Sequence, residues 1–408
     1  MFEKRISCPS CGKAYPLGKL IFRCGECGST LEMEFDYARM RKSLTREKLL
    51  ERAFLHSRYR ELYPVKSLIT LQEGGTALLR SRNLERELKL GFELYFKFEG
   101  TNPTGSFKDR GSSVEIAKAL EFRARKTVCA STGNMGASVA AYSSLANLKC
   151  SIFTPKDTAS TKMEQILAYG AKVYHISGDY TKAMGFAEEI FRENKAYLLG
   201  DYLYRREGTK SIGFEICDQL PGADWIFCPV GNGTLITATW KAFREFKALG
   251  FQKKLPRMAG IQAQDCSPIS QAFKRMEKEG GSSAFNPEIR IQPVKNPHTV
   301  AVAIECGDPI DGPGVLKAIK DSRGFAEAVS DSEILRAREL LARREGLFAE
   351  PGGSAAFAGI LKSRDRIEKC SKVVCLVTGH GLKSPKTGVK GKPVDVGEDV
   401  SAVKKLFR

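Results

Sequence analysis

Eight short apolar runs, at 94–98, 128–131, 150–154, 173–176, 196–199, 225–230, 258–262 and 373–378, recur along the chain with amphipathic segments between them. That alternation restricts the fold more than any other feature. Strand and helix in turn build α/β layers with mostly parallel strands, and such layers hold ligands at the carboxyl ends of their strands. With 408 residues and 42% hydrophobic content, the chain can form two such units with true cores. Residues 36–62, rich in Arg, Lys, Glu and Leu, read as a charged helix. A break at 203–207 reads as the return from a smaller unit to a larger one.

Four strand ends carry loops with chemical content. The first, Asn102-Pro103-Thr104-Gly105-Ser106-Phe107-Lys108-Asp109-Arg110-Gly111, precedes an apolar-periodic segment with Val114, Ile116, Ala117 and Leu120. Pro103 fixes one dihedral, the glycines allow backbone that other residues resist, and Ser106 can cap the coming helix. A lysine presented there can lose its proton and form a Schiff base with a carbonyl compound. The plainer reading of any single lysine is a solvated surface group. The second loop, Ser131-Thr132-Gly133-Asn134, opens a helix of small residues. Free amides and the helix dipole make such a start an anion site, or simply an ordinary capped helix. In the third, Pro229-Val230-Gly231-Asn232-Gly233-Thr234, the glycines let backbone amides converge on a phosphate, and Thr234 adds a hydroxyl. The last, Thr378-Gly379-His380, ends the run at 373–378. His380 reads as a turn histidine satisfied by its neighbours, because no carboxylate or metal ligand can be assigned beside it.

Of twelve cysteines, Cys8, Cys11, Cys24 and Cys27 form two close pairs separated by twelve residues, each followed by a glycine, Gly12 or Gly28. This zinc-ribbon pattern offers four thiolates in tetrahedral geometry, with no vacant position for catalysis. A ribbon that keeps its knuckles without metal is the alternative. The other eight cysteines read mostly as reduced core residues. The formal charge of +18 is spread along the chain. That favours a solvated surface that attracts small anionic substrates over a nucleic-acid partner, for which the ribbon has too few basic residues. No apolar run approaches the roughly 18 residues of a membrane span, and no signal-peptide core is present, so a soluble cytoplasmic protein is expected.

The Asn-Pro-Thr-Gly-Ser-Phe-Lys-Asp-Arg-Gly loop resembles the cofactor-lysine motif of the threonine synthase family. The likeness extends to Ser131–Asn134, Gly231–Thr234, Thr378-Gly379-His380-Gly381, Glu207-Gly208-Thr209-Lys210 and Gly346–Pro351, and it includes the ribbon of the archaeal and plant-type branch. It implies two α/β/α domains of the tryptophan synthase β-like (fold type II pyridoxal-phosphate) architecture. The expected division is a zinc-ribbon-like element at 1–35, a large domain at 36–93 and 205–408, and a small domain inserted at 94–204. It implies pyridoxal 5'-phosphate on Lys108, with Asn134 at the phenolic oxygen, Gly231, Asn232, Gly233 and Thr234 around the phosphate, and Thr378 at the pyridine nitrogen. Substrate contacts fall to Ser131, Thr132 and Arg205, and the metal ligands are Cys8, Cys11, Cys24 and Cys27, holding structural Zn2+. A homodimer and a threonine-biosynthetic lyase reaction, O-phospho-L-homoserine and water to L-threonine and phosphate, follow from the same resemblance.

The chain departs from the family where the substrate's phosphate is held. Members usually carry Asn-Ser-x-Asn-Pro-x-Arg, whereas here the segment is Leu199-Gly200-Asp201-Tyr202-Leu203-Tyr204-Arg205. Arg205 is kept, both asparagines and the serine are gone, and Asp201 adds a negative charge. Met135-Gly136 also replaces a hydroxyl-bearing pair after Asn134. These changes motivate a second reading, β-replacement or β-elimination on O-phosphoserine or serine. A non-catalytic ribbon protein that binds nucleic acid is a third.

Overall fold

Trp225–Pro229 is buried at every position and Lys372–Val377 at all but the first. Continuous burial of this kind belongs to parallel strands covered on both faces. The structure, a computed structural model, describes residues 2–131, 133–155, 160–177, 180–193, 195–278 and 291–385. Its largest sheet has six strands in the order Phe325–Val329, Arg257–Ala263, Trp225–Pro229, Lys372–Val377, Glu93–Phe98 and Leu78–Arg80. The first five are parallel and the last is antiparallel. A second sheet of four parallel strands runs Lys172–Ile176, Lys149–Pro155, Lys126–Ala130, Tyr197–Leu199.

This pairing puts the strand at the expected boundary, before residue 94, in the larger sheet. Glu93–Phe98 registers with Lys372–Val377 from Glu93 opposite Lys372 to Phe98 opposite Val377, so it belongs to the larger sheet. The smaller unit is entered only after that strand, through the Lys108–Glu121 helix. Residues 36–62 also differ from expectation. Thr45 accepts a hydrogen bond from Lys48 N and starts a fresh helix, so the segment breaks into Tyr37–Arg41, Arg46–Leu50 and a 3-10 stretch at His56–Leu62.

The N-terminal residues form a three-stranded antiparallel sheet, Ala14–Tyr15, Glu3–Ser7 and Glu32–Phe35. Ile6, Leu31, Met33 and Phe35 pack into the core of the large unit. Polar ties reinforce the contact. Lys241 Nζ donates to Met33 O at 2.5 Å, and Thr30 Oγ1 donates to Asp311 Oδ1 at 2.6 Å. Asp311 also binds Arg206 at 2.6 Å and accepts from Thr237 at 2.5 Å, while its own amide donates to Asn232 O. The ribbon is therefore tied to the loop at 231–234. Among the described residues, no helix is long and apolar enough to cross a membrane.

Candidate active site

Lys108 is held in place by the two residues after it. Asp109 is fully buried and accepts from Thr104 N at 2.7 Å and Thr104 Oγ1 at 2.6 Å, which closes the turn in front of the helix. Burial pushes its carboxyl up to about 6, against the lowering effect of those bonds. Arg110, also fully buried, donates to Glu99 at 2.7 and 2.8 Å and to Glu215 at 2.6 and 2.9 Å. Lys97 completes the group at 2.7 Å from Glu215. Ser106 does not cap the helix as expected, and its buried hydroxyl has no partner among the described residues. The turn is instead clamped to the far loop by Phe107 N donating to Thr378 O at 3.1 Å and His380 N donating to Gly105 O at 2.9 Å.

Lys108 opens into a cavity of about 510 Å³ where loops of both units meet, with Ser131 and Asn134 from one and Gly231, Asn232, Gly233, Thr234 and Thr378 from the other. Gly233 has φ +101, and a Cβ there would stand 2.5 Å from Val315 Cγ2, so only glycine fits the turn. The Thr234–Leu249 helix starts at that turn, and the first amides of a helix lack intrahelical acceptors. The Thr234 hydroxyl is buried beside them without a partner among the described residues. An anion-binding cradle of this form suits a phosphate. The side chain of Asn232 points elsewhere, donating to Asp201 Oδ2 at 2.9 Å.

Asn134 Nδ2 donates to Glu350 Oε1 at 2.5 Å, and its Oδ1 is buried without a partner among the described residues. Glu350, to which the sequence alone assigns no role, begins the Pro351–Lys362 helix as its N-cap residue. Its other oxygen lies 3.6 Å from Lys162 Nζ. Ser131 reaches the cavity edge while its hydroxyl accepts from Gly133 N at 3.3 Å and Gly136 N at 2.8 Å, capping its own helix. Thr132 lies outside the described residues. His380 is a turn residue, its Nδ1 accepting from Leu382 N at 3.1 Å.

Arg205 lies beneath the cavity, away from the groups that line it. Only 1% of it is exposed, and its guanidinium donates to Glu115 at 2.5 Å, Ser112 at 3.2 Å and the carbonyls of Gly200 and Lys108. It supports the floor beneath Lys108 and presents no donor to the cavity. The charged group that this segment does bring to the cavity is Asp201, with Oδ1 3.4 Å from Lys108 Nζ. Burial alone would raise its carboxyl, but Lys108, Arg205 and the Asn232 amide outweigh that and hold it below its ordinary value.

The Sγ atoms of Cys8, Cys11, Cys24 and Cys27 all lie within 4.8 Å of one another. Four sulfurs about 2.3 Å from one zinc would stand about 3.8 Å apart, so the cluster fits that ion.

Residues 69–379 match the family described as pyridoxal-phosphate dependent enzyme. The chain is 42% identical over 412 residues to threonine synthase of Methanocaldococcus jannaschii, with 98% of each chain covered. It is 40% identical over 411 residues to that of Methanosarcina acetivorans, again with 98% of each covered. Among solved structures, a T.th. threonine deaminase superposes with a TM-score of 0.62 at 22% identity, covering 78% of this chain and 94% of that one. The processed threonine deaminase isoform 2 of Solanum lycopersicum gives 0.64 at 19% identity, covering 95% and 96%. These two likenesses establish the fold.

Proposed function

The chain belongs to the pyridoxal-phosphate dependent enzymes and, among them, to the threonine synthase family, and from that membership we propose that it converts O-phospho-L-homoserine and water to L-threonine and phosphate. The observation that carries the substrate is the 42% identity to a threonine synthase along 98% of both chains. Pyridoxal phosphate, when bound, supplies a ring that takes up the negative charge developed at the substrate's carbon atoms. The Thr234 hydroxyl, without a partner among the described residues, and the helix start beside it would hold the cofactor phosphate. Asn134 has a free carbonyl oxygen and an amide fixed by Glu350, which suits it to orient the ring edge. Thr378, which lines the cavity, would offer a neutral hydroxyl to the ring nitrogen.

Lys108 would anchor the cofactor and, as a free amine, would move protons at the substrate's Cα and Cβ as its phosphate leaves from Cγ. The amides of the Asn134–Leu145 helix, with Ser131, receive the substrate carboxylate. The assay that tests this reading supplies O-phospho-L-homoserine to cofactor-loaded protein and measures phosphate and threonine together. Equal amounts of both are expected, and phosphate without threonine, or no turnover, would overturn it.

The four clustered thiols hold a structural zinc in this reading. One zinc per chain by elemental analysis, lost in a Cys24→Ser variant, is the expected result.

A further inference from the structure

Asp201 is a cavity group that the family pattern leaves unexplained. It sits in the turn between Tyr197–Leu199 and the Leu203–Thr209 helix, and only 6% of it is exposed. One carboxylate oxygen is fixed by Asn232 Nδ2 at 2.9 Å, and the Asn232 carbonyl in turn accepts from Cys306 Sγ at 3.2 Å. The other oxygen is thereby aimed at Lys108 Nζ, 3.4 Å away. Two other buried lysine–carboxylate pairs are closer and drier. Lys97 with Glu215 and Lys210 with Glu207 sit at 2.7 and 2.6 Å with both side chains fully buried, whereas 18% of the Lys108 side chain is open to the cavity.

We propose that Asp201 is a further catalytic residue, the carboxylate on which the substrate's α-ammonium docks as it displaces Lys108 from the cofactor, and on which the freed lysine ammonium then rests. The inference rests on the reading above only in taking the substrate to be an amino acid. The exchange balances around this carboxylate. The carbon–nitrogen double bond to Lys108 Nζ breaks as one to the substrate nitrogen forms. With that bond protonated before and after, two protons pass from the incoming ammonium to Lys108 Nζ and none reach solvent. One ammonium therefore faces Asp201 at the start and one at the end, so a fixed carboxylate within reach of both nitrogens stabilises each state without moving. Its neighbours support this use. Lys108 and Arg205 keep Asp201 ionised, and the competing negative group, Glu115, is occupied by Arg205 at 2.5 Å.

The test compares cofactor-loaded wild type, Asp201→Asn and Asp201→Glu by rapid mixing with L-threonine, L-serine and O-phospho-L-homoserine, following the cofactor's absorbance as the amine exchanges. In Asp201→Asn the exchange rate and the apparent affinity for all three amino acids are expected to fall by about ten- to a hundredfold. Cofactor affinity and circular dichroism should stay unchanged, and Asp201→Glu should recover part of the loss. A carboxylic acid of the same length without the amine should bind Asp201→Asn as well as wild type or better, because a like charge has gone. Exchange at the wild-type rate in Asp201→Asn would overturn the proposal, as would a loss confined to cofactor affinity, which would make Asp201 a support for the cofactor alone. Asp201-dependent exchange in a protein that makes no threonine from O-phospho-L-homoserine would remove the proposed function and leave this inference standing.

Discussion

Lys108 and Arg110 stand two residues apart on one turn and meet opposite surroundings. Arg110 is fully buried and spends its guanidinium on Glu99, Glu215, Ser211 and Thr76. Lys108 faces a cavity, with one carboxylate at 3.4 Å and the Phe107 ring at 4.9 Å. A saturated buried charge cannot change partner without a large penalty, so it fixes position. A loosely paired lysine can exchange its partner, and the chemistry proposed for this site requires that freedom. Rigidity and reactivity are thus divided between neighbours on the same helical turn.

The sharpest way to break the contrast is to exchange the losses. Lys108→Ala should abolish turnover, by more than about 10⁴-fold, since both anchor and proton carrier go. Its unfolding midpoint in denaturant should stay close to that of wild type without cofactor. Arg110→Ala should do the reverse first, destabilising the protein by about 3–5 kcal/mol because Glu99 is left buried without its cation and Glu215 keeps only Lys97. Equilibrium unfolding measures this, and an Arg110→Ala protein as stable as wild type would remove the scaffold role.

His56 extends the comparison to pH. Its buried ring stacks on Tyr63, and Nδ1 lies 2.9 Å from Ser211 Oγ, which also accepts from Arg110. Burial first, and then the positive Arg110, lower it from 6.5 to about 4. The unfolded chain therefore binds this proton more readily than the folded one. Its contribution to stability is complete above pH 6.5 and lost as pH falls through the folded value near 4, a change of about 3 kcal/mol. Unfolding curves at pH 7 and 4 for wild type and His56→Asn should differ in their pH dependence by that order. The smallest effect is expected at Asn134→Ala, which leaves Lys108 and its scaffold in place. A ten- to hundredfold fall in kcat/KM, or about 1–3 kcal/mol, with unchanged stability would mark it as an orienting group.

Much of the site is legible in the sequence where the chemistry is local. The Lys108 turn, the Gly231–Thr234 loop and the cysteine pairs each declare themselves within about a dozen residues, and alternating strands and helices announce the layered fold. What escapes depends on pairing across long separations. Asp201 reads as an added charge, but its partner Lys108 lies 93 positions away. Asn134 meets Glu350 across 216 positions. Arg205 reads as a substrate ligand because nothing local to it reveals Glu115, 90 positions earlier, buried at the same spot. The strand at 94–98 is plain in the sequence and its sheet is not, since an apolar run does not say which strand it joins.

The ties between the N-terminal element and Asp311, Arg206 and Lys241 bear on modularity. Removing the first 35 residues would strip Thr30 from Asp311 and Arg206, and the Met33 carbonyl from Lys241. Exposed with them would be apolar surface now covered by Leu31, Met33 and Phe35. A shortened catalyst made by simple truncation would therefore leave Arg206, Asp311 and Lys241 each short of a partner near the Gly231–Thr234 turn. Evolution or an engineer discarding the ribbon must rewrite Arg206, Lys241 and Asp311 in the same stroke, which makes this small element an inseparable part of the enzyme.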